Sequence, residues 1–210
     1  MNTTKHQYWS QTACKYDAAT AYVIGETTQR RTKNWLQAQI TVTDQVLDLG
    51  CGTGLFSEII ASQAQSLIAT DLSNEMLQLA AARLAAFDNT TVQKADSYTL
   101  PFPQNTFDAV VLGNLLHIIK HPARVIQEAY RVLKAGGCLL TIDATTYGLT
   151  SLGKICMAVR YLRGFGFPPR DNKSLDPMDV IDMAKGTGFT ITSLKLIGYE
   201  TKSICMRGQK

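Results

Sequence analysis

The sequence predicts an α/β fold in which a parallel sheet is covered by helices on both faces. Two observations carry that prediction. Apolar, β-type runs alternate with stretches of helical periodicity through most of the 210 residues, without internal repeat or low-complexity segment. The run VLDLGCGTG (46–54) leads straight into three glycines spaced two apart, a turn that usually holds a nucleotide after a buried strand.

Five strands are expected before the last quarter of the chain: QVLDLG (45–50), SLIATD (66–71), TVQKAD (91–96), FDAVVLG (107–113) and GCLLTIDA (137–144). Between the second and third, Ser73 is placed to cap a helix whose stripe is Met76, Leu77, Ala80, Ala81 and Leu84. Pro122 suits the first position of another, carrying Val125, Ile126, Ala129, Val132 and Leu133, with Gly136 and Gly137 as its expected stop. Asp176-Pro177 opens a short helix ending near Gly186, and FTITSLKLIG with ETKSICMRG reads as a closing antiparallel hairpin. The chain is expected to be a single domain, 1–210. Residues 1–44 form a helical, aromatic-rich N-terminal segment and 45–146 the alternating core. Residues 147–176 form an insertion, and 177–210 the closing helix and hairpin.

Composition narrows the classes. The chain is 45% hydrophobic and 18% charged, and 21 basic against 17 acidic residues leave +4, too scattered an excess to argue for nucleic acid. Five widely spaced cysteines without a C-x-x-C pair indicate neither disulfide framework nor zinc site, so no metal is expected and a reducing interior fits. A polar N-terminus, and a longest apolar run broken by Asp108, Gly113, Asn114 and His117, lead to the expectation of a cytoplasmic protein without membrane span.

The glycine loop departs from a dinucleotide fingerprint, because Leu55 stands where the third glycine of G-x-G-x-x-G would fall. A phosphate loop is excluded more firmly, since no lysine follows before Lys94. Asp48, inside the strand, would repel a pyrophosphate but could help hold an amine. Asp71 lies about twenty residues on, where an acidic side chain meets ribose hydroxyls. Asp96 is expected at the end of the third strand, able to accept from an exocyclic amine. An amino group, a ribose and an adenine without phosphates describe S-adenosylmethionine.

With TDLS, KADSYTLPFPQNTFDAVVLGNLLHII and EAYRVLKAGGCLL following VLDLGCGTG in order, the chain resembles the class I S-adenosylmethionine-dependent methyltransferases. It is most similar to the group that includes the ubiquinone/menaquinone-biosynthesis C-methyltransferases and many small-molecule methyltransferases. The resemblance implies a Rossmann-like, doubly wound, seven-stranded sheet in the order 3-2-1-4-5-7-6 with strand 7 antiparallel. It also places Asp48, Gly50, Cys51 and Gly52 against the methionine part, Asp71 on the ribose, and Leu72 and Met76 along the adenine. Asp96 and Ser97 fall beside the adenine amine, and Gly113 and Asn114 near the transferred methyl.

For catalysis the candidates are His117, Tyr16 and Asp143. His117, just past the fourth strand, reads either as a general base or as a structural histidine bonded to backbone. Tyr16 and Tyr8 belong to a stretch, YWSQTACKYDAAT, similar to the family's lid, and Asp143 ends the fifth strand either facing the pocket or capping a turn. The insertion mixes Lys154, Arg160, Arg163, Arg170 and Lys173 with apolar residues, which suits an acidic aromatic substrate, a membrane surface, or a solvated face over an apolar underside. GNLL after the fourth strand lacks the signatures of base- or protein-arginine-modifying relatives, so the expected acceptor is a small apolar or aromatic molecule. A quinone precursor and a non-catalytic binding module are the alternatives, and monomer and homodimer both stay open.

Overall fold

The structure is a computed structural model that describes residues 3–169 and 172–210. The first two residues of the expected lid and Arg170 of the insertion lie outside the described residues.

Seven strands build one sheet: β1 (Gln45–Leu49), β2 (Ser66–Asp71), β3 (Thr90–Lys94), β4 (Phe107–Gly113), β5 (Leu133–Thr145), β6 (Thr190–Ile197) and β7 (Lys202–Gln209). Their order is β3-β2-β1-β4-β5-β7-β6, and β7 alone runs against the rest, pairing antiparallel with β5 and β6. This is the doubly wound architecture expected. Among the described residues eight α-helices accompany it: α1 (Thr3–Thr12), α2 (Tyr16–Ile24), α3 (Glu26–Gln37), α4 (Ser57–Ala61), α5 (Asn74–Leu84), α6 (Pro122–Val132), α7 (Ser151–Gly164) and α8 (Pro177–Thr187).

Local chemistry explains where the helices begin. The Ser73 hydroxyl accepts from the Met76 amide at 3.2 Å and starts α5, whose Met76, Ala80 and Leu84 are buried. Asp176 caps α8 in a reciprocal box with Asp179, Pro177 takes the first turn, and Gly188 ends the helix at φ 112°. The pleat of β4 then divides the core. Val110 and Leu112 pack with Val125, Ile126, Val132 and Val180 on one face, while Ala109 and Val111 pack with Leu36, Ile60 and Leu84 on the other. Each such fully buried aliphatic contributes about 1.5–3 kcal/mol, so both faces hold the sheet.

Two local expectations need correction. The helix α6 stops at Val132, and Leu133 already pairs with Phe107 as the start of β5; Gly136 and Gly137 therefore sit inside the strand rather than ending the helix. The register slips between Phe107 and Ala109, and a β-carbon on Gly137 would lie 3.0 Å from the Asp108 and Lys134 carbonyl oxygens, so the glycines serve a bulge. β3 closes at Lys94, and Asp96 falls beyond it in a turn, bridged to Thr99, with its carboxylate accepting from the Tyr98 amide at 2.9 Å.

The carboxyl ends of β1, β2, β4 and β5 share one edge of the sheet, the position at which open α/β folds place their ligands. Above that edge α2, α7 and the loop after α7 enclose a third apolar cluster, with Ala19, Val23, Ile24 and Phe165 buried among Tyr8, Trp9, Tyr16, Met157 and Tyr161.

Candidate active site

The glycine loop is held by backbone. After β1 the Gly50 and Cys51 amides both donate to the Thr70 carbonyl at 2.8 Å, locking the loop to the end of β2. Gly52 donates to one Asp71 oxygen at 2.9 Å and Ser73 to the other at 2.9 Å, so two fixed dipoles orient that carboxylate. Gly52 has φ 56° and a β-carbon there would meet nothing within 4 Å, whereas at Gly54 (φ 81°) it would come within 3.3 Å of the Ala80 backbone. Gly54 thus lets α5 approach, and Gly52 leaves a cradle open beside Asp71.

Asp48 lies behind this cradle. Its carboxyl is 1% exposed and accepts from the Ser57 hydroxyl at 2.5 Å, and burial pushes its pKa up to about 7. Cys51 is buried, and burial raises its thiol well above the ordinary range, which makes it packing rather than a nucleophile. Leu72 follows Asp71, Met76 is buried on α5, and Ser97 sits half-buried next to Asp96. A β-carbon at Gly113 would strike the Phe56 ring at 2.5 Å. Asn114, at φ 54°, donates its amide to the Ile142 carbonyl at 2.6 Å and accepts from the Ala144 amide at 3.3 Å, tying the ends of β4 and β5 together.

The lid rests on this edge through residues that sequence reasoning missed. Asp17 of α2 accepts from the Thr53 hydroxyl of the glycine loop at 2.6 Å and pairs with Arg83 of α5, while the Ser10 and Ser73 hydroxyls meet at 2.9 Å. One carboxylate so latches lid, loop and helix; its only sequence signal is a charge at the head of the otherwise apolar DAATAYVI.

Past the ends of β4 and β5 lies a cavity of about 390 Å³ whose walls include Trp9, Tyr16, Tyr161, Phe165, Asn114 and His117. The rings of Trp9, Tyr16 and Tyr161 stand 6.0, 5.8 and 5.2 Å from that of Phe165, centroid to centroid, forming an aromatic cage. Tyr8 donates to the Phe165 carbonyl at 3.1 Å and braces the cage from behind. Burial, with the Asp71, Asp17 and Asp143 carboxylates nearby, pushes Tyr16 to about 12. A phenol so placed stays protonated near neutrality and serves as a donor, not a base.

His117 and Asp143, named separately from the sequence, meet here. His117 Nδ1 lies 2.8 Å from Asp143 Oδ1, which also accepts the His117 amide at 3.3 Å. Asp143 is 0% exposed, burial raises its carboxyl pKa against the pull of His117, and its Oδ2 has no hydrogen-bond partner among the described residues. Opposite an ionised Asp143 the proton sits on Nδ1, which leaves Nε2 as the basic nitrogen. Of the two readings of His117, a general base or a structural histidine bonded to backbone, the backbone bond is not what its ring makes here: Nδ1 meets a carboxylate. His121 is exposed at the head of α6, its amide bonded to the Tyr98 hydroxyl.

Residues 47–141 match the family model described as a methyltransferase domain. Over those residues the chain carries a methyltransferase domain. It is 37% identical over 108 residues to a demethylmenaquinone methyltransferase of Symbiobacterium thermophilum, a match covering 49% of this chain and 43% of that relative. It is 31% identical over 163 residues to a ubiquinone/menaquinone biosynthesis C-methyltransferase of Desulfotalea psychrophila, covering 69% and 65% respectively. The matches thus span less than half of the first relative and about two thirds of the second. In fold, the methyltransferase domain is similar to a methyltransferase of Thermotoga maritima described as a possible histamine N-methyltransferase. That likeness has a TM-score of 0.74 at 18% identity and covers 97% of this chain and 99% of that one. A methyltransferase of Aquifex aeolicus follows with 0.72 at 18%, covering 95% and 97%. The class takes its methyl group from S-adenosylmethionine, and the open cradle at Gly52 beside a fixed Asp71 carboxylate, without a phosphate-binding lysine, fits that cofactor.

Proposed function

We propose that the chain transfers a methyl group from S-adenosylmethionine to a small, apolar or aromatic acceptor, with His117 as general base and Asp143 as the residue that positions it. The observation carrying this reading is the His117–Asp143 pair at the wall of an aromatic cavity past the ends of β4 and β5. Asp71 would hold the ribose, Leu72 and Met76 would line the adenine, and Asp96 and Ser97 would lie by its amine. The loop amides around Cys51 and Gly52, with Gly113 and Asn114, would face the methionine end. Asp48, bonded to Ser57, supports the loop from behind.

When bound, S-adenosylmethionine supplies a methyl group already activated by a sulfonium. The chain's own work is alignment, exclusion of water and removal of one proton. The cage of Trp9, Tyr16 and Phe165 holds a planar acceptor and keeps water out. His117 Nε2 takes the proton from the acceptor's hydroxyl or activated carbon, and the buried Asp143 carboxylate stabilises the imidazolium that results. A ring carbon next to a hydroxyl, as in a quinone precursor, is the acceptor that the aromatic cage and the names of the two curated relatives favour.

The test is methyl transfer from labelled cofactor to hydroxylated aromatic and reduced quinone acceptors. His117→Ala lowers kcat by about 10²–10⁴-fold, and Asp143→Asn, which keeps the side chain's shape but removes the charge that positions the imidazole, lowers kcat as well. Undiminished turnover in His117→Ala removes the base from the account, and absence of transfer to any acceptor favours a binding module.

A further inference from the structure

We propose that α7 and the loop behind it dock on an anionic phospholipid surface. The helix has two faces of different use. Inward, Met157 and Tyr161 join the lid cluster, and Gly164 lies so close to α2 that a β-carbon there would be 3.3 Å from the Ala19 methyl. Outward, Leu152, Ile155, Val159 and Leu162 are 70%, 61%, 40% and 43% exposed. Their spacing of three, four and three gathers them within an arc of about 80° on a 3.6-residue helix. None of the fourteen residues of α7 is buried, and Phe167, three residues past its end, is 85% exposed.

Inner packing therefore anchors the helix, and the outer stripe leaves most of Leu152 and Ile155 uncovered within the described residues. Scattered exposed aliphatics are ordinary, but a continuous stripe with an exposed aromatic beside it marks a binding surface. Charge selects the occupant. Residues 147–169 carry Lys154, Arg160 and Arg163 and no acidic residue, and of these Arg160 reaches Glu200 at 3.5 Å. A second copy packed stripe to stripe would oppose like charges, whereas acidic headgroups complement them. A helix with apolar residues on one side and cations flanking them lies in the headgroup layer without needing matched pockets.

The position of the helix gives docking a consequence, which rests on the methyl-transfer reading. Met157 and Tyr161 line the cavity and Leu162 joins its wall to the end of the stripe, so an apolar acceptor leaving the bilayer along α7 enters the cage without crossing open water.

Flotation of the full chain with phosphatidylcholine vesicles, with and without phosphatidylglycerol, tests the docking. Binding is expected only with phosphatidylglycerol, weakened by salt and by Arg163→Gln, and lowered at least about tenfold in Ile155→Ser/Val159→Ser. Leu152→Ser gives a second, milder version, and retained thermal melts show that each variant folds. No flotation, or equal flotation of the double variant, overturns the proposal. So does a wild-type dimer that the double variant converts to monomer, since a second copy would then cover the stripe. Adenosylhomocysteine binding, measured separately by calorimetry, reports on the cofactor reading, so docking can stand where methyl transfer fails.

Discussion

The two halves of the site are built by different means. Around the glycine loop, main-chain amides hold a carboxylate and a carbonyl, and side chains mainly stay out of the way. Across the cavity the reverse holds: Trp9, Tyr16, Tyr161 and Phe165 meet through rings, and His117 meets Asp143 through side chains 26 residues apart. A ligand held by backbone requires a particular loop conformation, and glycines at fixed spacing record that in sequence. A ligand held by side chains from distant elements leaves only scattered residues, free to vary with the acceptor.

Substitutions sharpen the contrast in order of expected effect. Phe165 is 8% exposed at the centre of the cage, so Phe165→Ala costs about 3 kcal/mol of stability in thermal or urea unfolding and raises acceptor KM while adenosylhomocysteine affinity holds. Equal losses at both halves would show that lid and loop behave as one unit.

Asp48 probes the loop from behind. Its pKa is raised to about 7 from 3.8, so the folded state holds a proton that the unfolded chain has lost between those values. Stability therefore falls as pH rises through that window, at up to about 1.4 kcal/mol per pH unit, and the loss is complete above pH 7. Asp143 is shifted in the same direction and adds to the slope. Asp48→Asn flattens the slope in urea titrations from pH 4 to 7; an unchanged slope would place the titrating group elsewhere.

The smallest effect is expected at the latch. Asp17 and Arg83 are partly exposed, so Asp17→Ala costs about 1 kcal/mol or less. Its signature is faster hydrogen exchange in α1 and α2 with β1, β4 and β5 unaltered; exchange rising across the sheet would show that the lid is structural.

How much of this was legible follows from the same division. Alternating patterns placed the strands, and the caps at Ser73 and Asp176 formed as their spacing implied, because a side chain bonding an amide two or three residues on is a local event. Gly136-Gly137 misled because a glycine pair that can stop a helix can equally serve a bulge, and only the pairing of Leu133 with Phe107 decides between them. Asp96 misled by one turn, since strand ends depend on the neighbouring strand. His117, Asp143 and Tyr16 were each visible, but their grouping was not, because it depends on β4 and β5 being adjacent and on α2 folding back across the sheet edge. The Asp17, Thr53 and Arg83 latch joins three segments with no shared motif, and sequence periodicity has no term for that.

The central claim is that cofactor and acceptor are held by separable halves, one backbone-built and one side-chain-built. Calorimetric titration of adenosylhomocysteine into wild type, Asp71→Ala, Gly52→Val and His117→Ala tests it directly. The account predicts binding in wild type, an affinity in His117→Ala within about twofold of it, and losses above tenfold in the other two, as removal of a charge-assisted contact or filling of the cradle implies. Unaltered affinity in Asp71→Ala and Gly52→Val, or an equal loss in His117→Ala, would contradict it.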